Sequence, residues 1–325
     1  MKHLRILGYV DEVARVGSIR KAAERLNVTA SAVNRRIADL EEELGAPLFD
    51  RRPRGVRLTA AGEVFVHYLR GNNGEVERMK SQIEDLKGLR RGTVRIACSQ
   101  ALALDFLPQQ IATFRKTHPL VSFDLKVVDH GWAMTALAAY EVDLVVVFRP
   151  PYLANFQPMM MLEQQLVAVM AADHPLASHR RLRLSDCAAY PVALPDRSIG
   201  GRQLLEEVSA RTGLTFKIAA ESNSFEMLRG LVLHAGLISF QIRIGTMPAG
   251  NRLGVVAREI DDRDVPHANL VVGRLRGRNL PIATAVFAEA LIRKLDTMRG
   301  DTAQTNGKIP PSRKLAQQGS RQRGL

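Results

Sequence analysis

The sequence predicts an all-α head with a basic hairpin and a long following helix, then an α/β region built as two lobes. Three observations predict it. Residues 15–62 hold two short helical stripes around a tight turn, then four arginines within seven residues. Helical spacing persists to about residue 87 and gives way at Thr93 to short β-branched runs alternating with helices. The 325 residues, 46% hydrophobic, are enough for two or three domains with sizeable cores.

In the head, Gly17 suits the end of one helix and Ser18 the cap of the next. Ile19, Ala22, Ala23 and Leu26 fall on one helical face, and the small alanines admit a close neighbour. Asn27 and Val28 make the turn, and Thr29 is a second N-cap. Val33, Ile37, Leu40 and Leu44 continue the apolar stripe, and Gly45 fits the position just past the helix end. The opposite face carries Ser31, Asn34 and Arg35, with Arg36 beside them. Short polar groups and a forked cation near a helix N-terminus suit base edges and phosphates in a major groove. Leu48 and Phe49 anchor the hairpin, and Pro53 and Gly55 turn it. Arg51, Arg52, Arg54 and Arg57 would repel one another unless an anion faced them, and phosphate is the natural one.

Thr59–Gly62 opens a helical stretch to about Lys87, with Val64, Tyr68, Val76, Met79, Ile83 and Leu86 on its apolar side. About 28 helical residues span roughly 42 Å. Gly71-Asn72-Asn73-Gly74 interrupts it. Each glycine weakens a helix by roughly 1 kcal/mol relative to alanine, so a bend or break is expected there. Gly88–Gly92 reads as a hinge.

TVRIACS is a strand running into the helix LPQQIATFRKTHP, which Pro119 stops. SFDLKVVD, GWAMTALAAYEV and DLVVVF follow as strand, helix and strand, a spacing that implies a parallel sheet. LVAVMAADHPLA opens a second lobe, continued by PVALP, RQLLEEVSARTG, FKIAAES, FEMLRGLVLHAG and LISFQ. The chain returns to the first lobe near LVVGRLRG and closes with the helix IATAVFAEALIRKLDTM. Met159–Met161 read as core or lobe junction. The expected boundaries are a head over 1–59, a linker helix over 60–91 and the two lobes over 92–299. Lobe 1 is expected over about 92–162 and 266–299, and lobe 2 over about 163–265. A basic tail over 300–325 is too poor in large apolar residues to build a core and is expected to be disordered.

Composition narrows the function. The net charge of +13 favours a polyanionic partner. No basic amphipathic helix with aromatic anchors points to a membrane surface. No apolar run is long enough for a transmembrane helix, and Asp11 and Glu12 interrupt any signal-peptide core, so a cytoplasmic protein is expected. The two cysteines, Cys98 and Cys187, form no CxxC, which excludes a disulfide scaffold and a zinc site built on Cys pairs. GxSxG, HExxH and Gly-rich cofactor fingerprints are missing, and the eight histidines do not cluster with acids at ligand spacing. An enzyme is therefore not expected, nor a cofactor or a metal.

AAERLNVTASAVNRRIADLEEELGAPLFDRRPRGVRLTAAG resembles the family run AAERLxVSQPALSRQIxxLEEELGxxLFxRxxRxxxLTxAG of LysR-type transcriptional regulators. Residues 1 to about 92 thus resemble that family's winged helix-turn-helix. The chain departs where the family usually has Gln and Pro and this sequence has Ala30 and Ser31. The resemblance implies DNA contacts from Thr29, Ser31, Asn34 and Arg35 and backbone contacts from the wing arginines. Ser18 and Arg36 complete the expected DNA-facing set. It also implies a linker helix that pairs two subunits antiparallel. Over residues 93–299 the order of elements resembles the family's periplasmic-binding-protein-like effector domain. EVDLVVV and ADHPLA match its phrases, while HAGLISFQ departs by placing Phe240 and Gln241 where Leu-Pro is usual.

In open α/β sheets ligands sit at the carboxyl ends of strands, near helix N-termini. That rule selects Ser99, Gln100 and Ala101 after the first strand, and His130 and Trp132 after the second. It also selects Arg149 after DLVVVF, Ser198 and Gly200 in PDRSIGG, and Asn223 and Ser224 after FKIAAES. For Asn223 and Ser224 the ordinary alternative is helix capping, and for Arg149 a solvated loop arginine. Helix N-terminal amides and a hydroxyl suit a small anion. Cys98 at a strand end reads as buried rather than reactive. The expected function is a sequence-specific transcriptional regulator answering to a small, anionic effector. Its expected partners are double-stranded DNA, the effector, RNA polymerase, and itself as a homodimer or homotetramer. The alternatives are an effector-independent architectural DNA-binding protein and an enzyme with a fused DNA-binding head.

Overall fold

A computed structural model describes residues 2–53, 55–70, 91–246 and 254–306. The head begins with α1 (Lys2–Val16), α2 (Ile19–Arg25) and α3 (Ala30–Leu44). Ser18 and Thr29 cap the second and third helices, accepting from Lys21 N–H and Ala32 N–H. Asn27 takes the left-handed conformation, φ 53°, that lets the chain turn between them. Gly45, at φ 68°, ends α3. Ala22, Ala23, Val33 and Ile37 are buried, so α2 and α3 cross where their small and β-branched residues meet. The wing is the antiparallel hairpin β1 (Phe49–Arg52) and β2 (Gly55–Leu58), followed by a helix, α4, over residues 60–70. Glu41 on α3 ties the hairpin down, its Oε1 accepting Leu48 N–H at 2.6 Å and Phe49 N–H at 3.0 Å.

Leu44, Val64 and Tyr68, expected on apolar faces, are exposed, whereas Val66 and Leu69 turn inward. The helix presents its short run of contacts to the head core, and the head is too small to cover a second face. The glycine interruption at 71–74 and the rest of the long helix lie outside the described residues, as does Arg54.

Lobe 1 is a five-stranded sheet in the order β4-β3-β5-β13-β6. Its members are β3 (Gly92–Cys98), β4 (Val121–Val127), β5 (Leu144–Phe148), β6 (Phe156–Gln164) and β13 (Ala268–Leu275). β3 runs parallel to β4 and β5, but β13 is antiparallel to both β5 and β6. The sheet is therefore mixed, not parallel as expected. The chain leaves lobe 1 at the end of β6 and re-enters it through a short crossing at the same end, so the returning strand must run the other way. Helices α5 (Phe106–Thr117), α6 (His130–Ala138) and α10 (Ile282–Asn306) cover it. Phe114 and Phe123 meet Phe287 of α10 edge-on, with ring centroids 5.2 and 5.0 Å away.

Lobe 2 contains a sheet in the order β11-β7-β12-β8 and the parallel pair β10-β9. These are β7 (Leu166–Ala171), β8 (Arg181–Leu182), β9 (Pro191–Pro195), β10 (Lys217–Ser222), β11 (Ser239–Ile242) and β12 (Val255–Ile260). A bridge from Val192 to Ile238 joins the two groups of strands. The helices are α7 (Leu184–Ala188), α8 (Gly200–Thr212) and α9 (Phe225–Ala235).

Four elements were not anticipated from the sequence: β6, β8, β12 and α7. Met159–Met161 lie in β6, with Met160 buried and Met161 exposed, the alternation of a strand. A short 3₁₀ turn, Gln100–Leu102, intervenes between β3 and α5, where a direct run was expected. Helix α10 continues to Asn306, past the boundary expected at residue 299. The remainder of the tail lies outside the described residues.

Candidate functional site

Two surfaces collect the side chains expected to be functional. On the head, Ser31, Arg35 and Arg36 are exposed along the outer face of α3, and Arg51, Arg52 and Arg57 along the hairpin. Thr29 Oγ1 and Ser31 Oγ share a hydrogen bond at 3.2 Å. Arg51 Nη2 donates to Asn34 Oδ1 at 2.8 Å, so wing and helix, read separately in the sequence, are joined by a polar contact. That bond leaves the Asn34 amide hydrogens directed elsewhere. Arg36 lies 3.9 Å from Asp39, a loose surface pair worth little. Arg35, Arg52 and Arg57 have no intramolecular partner among the described residues. Ser18 is half-buried and its hydroxyl is engaged as a cap.

The second surface is the cleft between the lobes. A cavity of about 430 Å³, counting space open to solvent, lies there. Of the residues expected around it, Ser99, Gln100, Ala101, His130 and Gly200 line it. Trp132, Arg149, Ser198, Asn223 and Ser224 do not. Ser198 turns to Asp196, its hydroxyl donating to Oδ1 at 2.6 Å. Ser224 caps α9 by accepting Met227 N–H at 3.2 Å. Arg149, at φ 51°, reaches across the lobes and donates to both Glu207 oxygens at 2.8 and 2.9 Å.

Ser99 Oγ accepts Phe148 N–H at 3.1 Å, which joins β3 to the end of β5 and leaves the hydroxyl hydrogen for the cleft. His130, at the start of α6, is 9% exposed. Burial lowers its pKa, the nearby Arg149 adds to this, and the Phe148 carbonyl and Asp129 oppose it. Its Nδ1 has no hydrogen bond of good geometry. Arg202, 4% exposed, locks the first turn of α8 by donating to the Pro195 carbonyl, Glu206 and Glu221. A Cβ on Gly200 would lie 2.9 Å from both His130 Nδ1 and the Phe148 carbonyl oxygen, so only glycine lets α8 approach lobe 1 this closely.

Gln100 crosses the cleft as well. Its Nε2 donates to the Asn223 carbonyl, and its Oε1 accepts Phe225 N–H at 3.1 Å. Among residues not picked out in advance, Asp129, Phe148, Phe225, Phe240 and Gln241 also line the cavity. Phe240 and Gln241 had a sequence signal, since they stand where the run HAGLISFQ departs from the Leu-Pro pattern. The others carried none, because their position depends on strand ends that meet only in the fold. Cys98 and Cys187 are fully buried, and burial pushes both thiols up to about 12. Among the described residues no group of His, Cys, Asp and Glu is placed to hold a metal ion. No helix there is long and apolar enough to cross a membrane.

Comparison with known proteins finds two family matches along the chain. The description "Bacterial regulatory helix-turn-helix protein, lysR family" matches residues 4–63, and "LysR substrate binding domain" matches residues 87–296. A RuBisCO operon transcriptional regulator of Allochromatium vinosum is 31% identical over 70% of this chain and 76% of its own length. The transcriptional dual regulator GltC of Bacillus subtilis is 29% identical over 70% of this chain and 77% of its own. Among solved structures, full-length OxyR from Pseudomonas aeruginosa superposes with a TM-score of 0.67 at 19% identity, over 88% of this chain and 93% of that one. The Synechocystis CcmR regulatory domain, solved in complex with 2-PG, gives 0.56 at 23% identity, over 64% of this chain and 99% of that one. CbnR solved with its target DNA gives 0.53 at 19% identity, over 90% and 98%. A helix-turn-helix head with an arginine-bearing wing, a two-lobed α/β region with a lined cleft, and family matches over both parts lead to one assignment: the chain belongs to the LysR family of transcriptional regulators.

Proposed function

We propose that this regulator reads duplex DNA with α3 and its wing, and that a small anionic effector in the interlobe cleft controls the reading. The observation that carries the proposal is the segregation of polar groups. Ser31, Asn34 and Arg35 occupy one face of α3, the arginines occupy the adjoining hairpin, and the Arg51–Asn34 bond sets the two at a fixed angle. Arg35 and Asn34 suit base edges, while Arg51, Arg52, Arg54 and Arg57 suit phosphates. Thr29 and Ser31 at the N-terminus of α3 and Ser18 at the N-cap of α2 complete the contact set. As a homodimer or homotetramer the protein would set two recognition helices in successive major grooves, roughly 34 Å apart. The effector shifts the DNA heads only if it binds two lobe arrangements with different affinity. RNA polymerase is the partner through which such a shift would reach transcription, and the cytoplasm is where it would act. No catalytic role is assigned.

Gel shift on the protein's own upstream intergenic DNA against a scrambled duplex, at two salt concentrations, tests this reading. The expected outcome is a specificity ratio that survives the higher salt. Arg35→Ala should then lose roughly 1–3 kcal/mol and relax base preference. Arg57→Ala should weaken all duplexes alike and lower the salt slope by roughly one. Equal, salt-sensitive binding to both duplexes would favour an architectural protein instead.

A further inference from the structure

The Asn34 carboxamide has two ends of opposite hydrogen-bonding character, and the fold engages one of them. Arg51 Nη2 stands 2.8 Å from the Asn34 oxygen. A guanidinium only donates, so the end of the carboxamide that faces it must be the oxygen. The NH2 end then points away from Arg51, and it has no partner among the described residues. Thr29 and Ser31, toward the start of α3, bond to each other at 3.2 Å and leave the amide alone.

Arg51 can set this orientation because its own strand is held from both sides. β1 is tied to α3 by Glu41, which accepts the Leu48 and Phe49 amides. Across the hairpin Arg51 pairs with Val56. Val56 N–H donates to the Gly17 carbonyl at 2.9 Å, which pins β2 to the turn between α1 and α2. A Cβ on Gly55 would collide with that same carbonyl oxygen, so the strand is seated as closely as glycine permits. The backbone that carries Arg51 is therefore docked on the helices, and the guanidinium reaches Asn34 from a fixed base.

The consequence is chemical. In the major groove guanine offers two adjacent acceptors, N7 and O6, whereas adenine offers the N7 acceptor beside the N6 amine. The usual asparagine contact to adenine needs a free oxygen for N6 as well as a free NH2 for N7. Here the oxygen is engaged by Arg51. Its second lone pair does not restore the contact, because an adenine amine reaching it would stand beside the cation, donor against donor. The outward NH2 group instead matches the two acceptors of guanine, and the charged donor on the oxygen polarises it into a stronger donor. We infer that Arg51 is a positioning residue that fixes Asn34 as a pure donor, so that the base Asn34 reads is guanine in preference to adenine. This rests on the reading of α3 as the helix that enters the major groove. The remaining Arg51 N–H groups stay available to a phosphate.

The test selects bound duplexes from a randomised pool with the full chain, unaltered and as Asn34→Ala, Asn34→Asp and Arg51→Met. The position whose preference disappears in Asn34→Ala is the one Asn34 reads. There the unaltered protein should enrich guanine about tenfold over adenine. Asn34→Asp, nearly the same in shape, turns an acceptor outward and should exchange guanine for cytosine, whose N4 amine donates. Arg51→Met frees the oxygen and should move the preference to adenine, while weakening every duplex through the lost phosphate contact. Positions that Asn34 does not read should keep their bases in both variants. Adenine at the Asn34 position of the unaltered protein overturns the inference. So does an Arg51→Met protein that loses affinity for all duplexes yet keeps guanine, because Arg51 then meets only phosphate. If Arg51→Met fails to fold, Asn34→Asp decides alone, and retention of guanine there sinks the donor assignment. Selected sequences with no position dependent on Asn34 overturn its assignment and leave the DNA-reading helix standing. No selected sequence at all overturns the reading of α3 itself.

Discussion

Single residues in this protein act mostly through what they leave free. Asn34 and Arg51 engage each other and so hold helix and wing at one angle, while Arg35 and Arg57 remain available to an outside partner. Burial lowers the pKa of His130 and so disfavours its charged form. The two cysteines are at the opposite extreme. Each is fully buried, with its thiol pushed up to about 12, and thiolate is the reactive form. A thiol-specific reagent at pH 8 should therefore leave both unmodified in the native protein and label both once denaturant unfolds the lobes. Rapid labelling of either thiol in the folded chain would contradict the burial.

At the scale of elements, close backbone approach decides more than propensity. The first turn of α4 packs against the hairpin so tightly that a Cβ on Gly62 would lie 2.0 Å from the Leu48 carbonyl oxygen and 2.9 Å from a Leu58 methyl. Gly62→Ala should therefore destabilise the head by roughly 1–3 kcal/mol, the usual range for overpacking. It should show as a lowered first transition in calorimetry of the full chain, with the later transition of the lobes unmoved. The glycine in the run LTAAG was visible in the sequence, but its reason was not, since the carbonyl it must avoid lies fourteen residues earlier, in the bend just before β1.

For the whole molecule, the junction between lobes is tied by a small set of side-chain bonds. The chain crosses at Gln165 and again over residues 261–267, and Gln165 Nε2 ties the crossings by donating to the Ile260 carbonyl at 2.6 Å and Asp262 at 2.8 Å. Arg149–Glu207 and Gln100 with α9 add bonds between the two lobes. The second crossing is also charged. Hydrogen bonds from Arg263 hold the Asp261 carboxyl well below its ordinary value, and those from Arg183 do the same for Asp264. A carboxylate with a depressed folded pKa adds stability above its unfolded value, about 3.9, and loses it as pH falls through the folded one. Stability of the two-lobed half should begin to fall as pH drops through about 6.5, where the burial-lowered His130 and His174 take up protons on unfolding, and fall further at pH below about 5 as these carboxylates lose their advantage. Asp264→Asn should shrink that acid dependence in denaturant titrations at several pH values.

How much was legible beforehand follows from the range over which each feature is determined. The helices of the head, their Ser18 and Thr29 caps, the wing and the order of most strands are set by spacings of three to eight residues, and the sequence alone determined them. It also placed the polar side chains on the outer face of α3, because one face of one helix needs no distant partner. The mixed lobe 1 sheet, the strands β8 and β12 and the cleft lining were decided only by tertiary structure. Strand direction in the sheet depends on where the chain re-enters after a hundred residues. Whether Gln100, Arg149 or Ser224 meets a ligand or the protein depends on how closely α8 and α9 approach lobe 1. That distance is fixed by packing across the cleft, and no local pattern of residues encodes it.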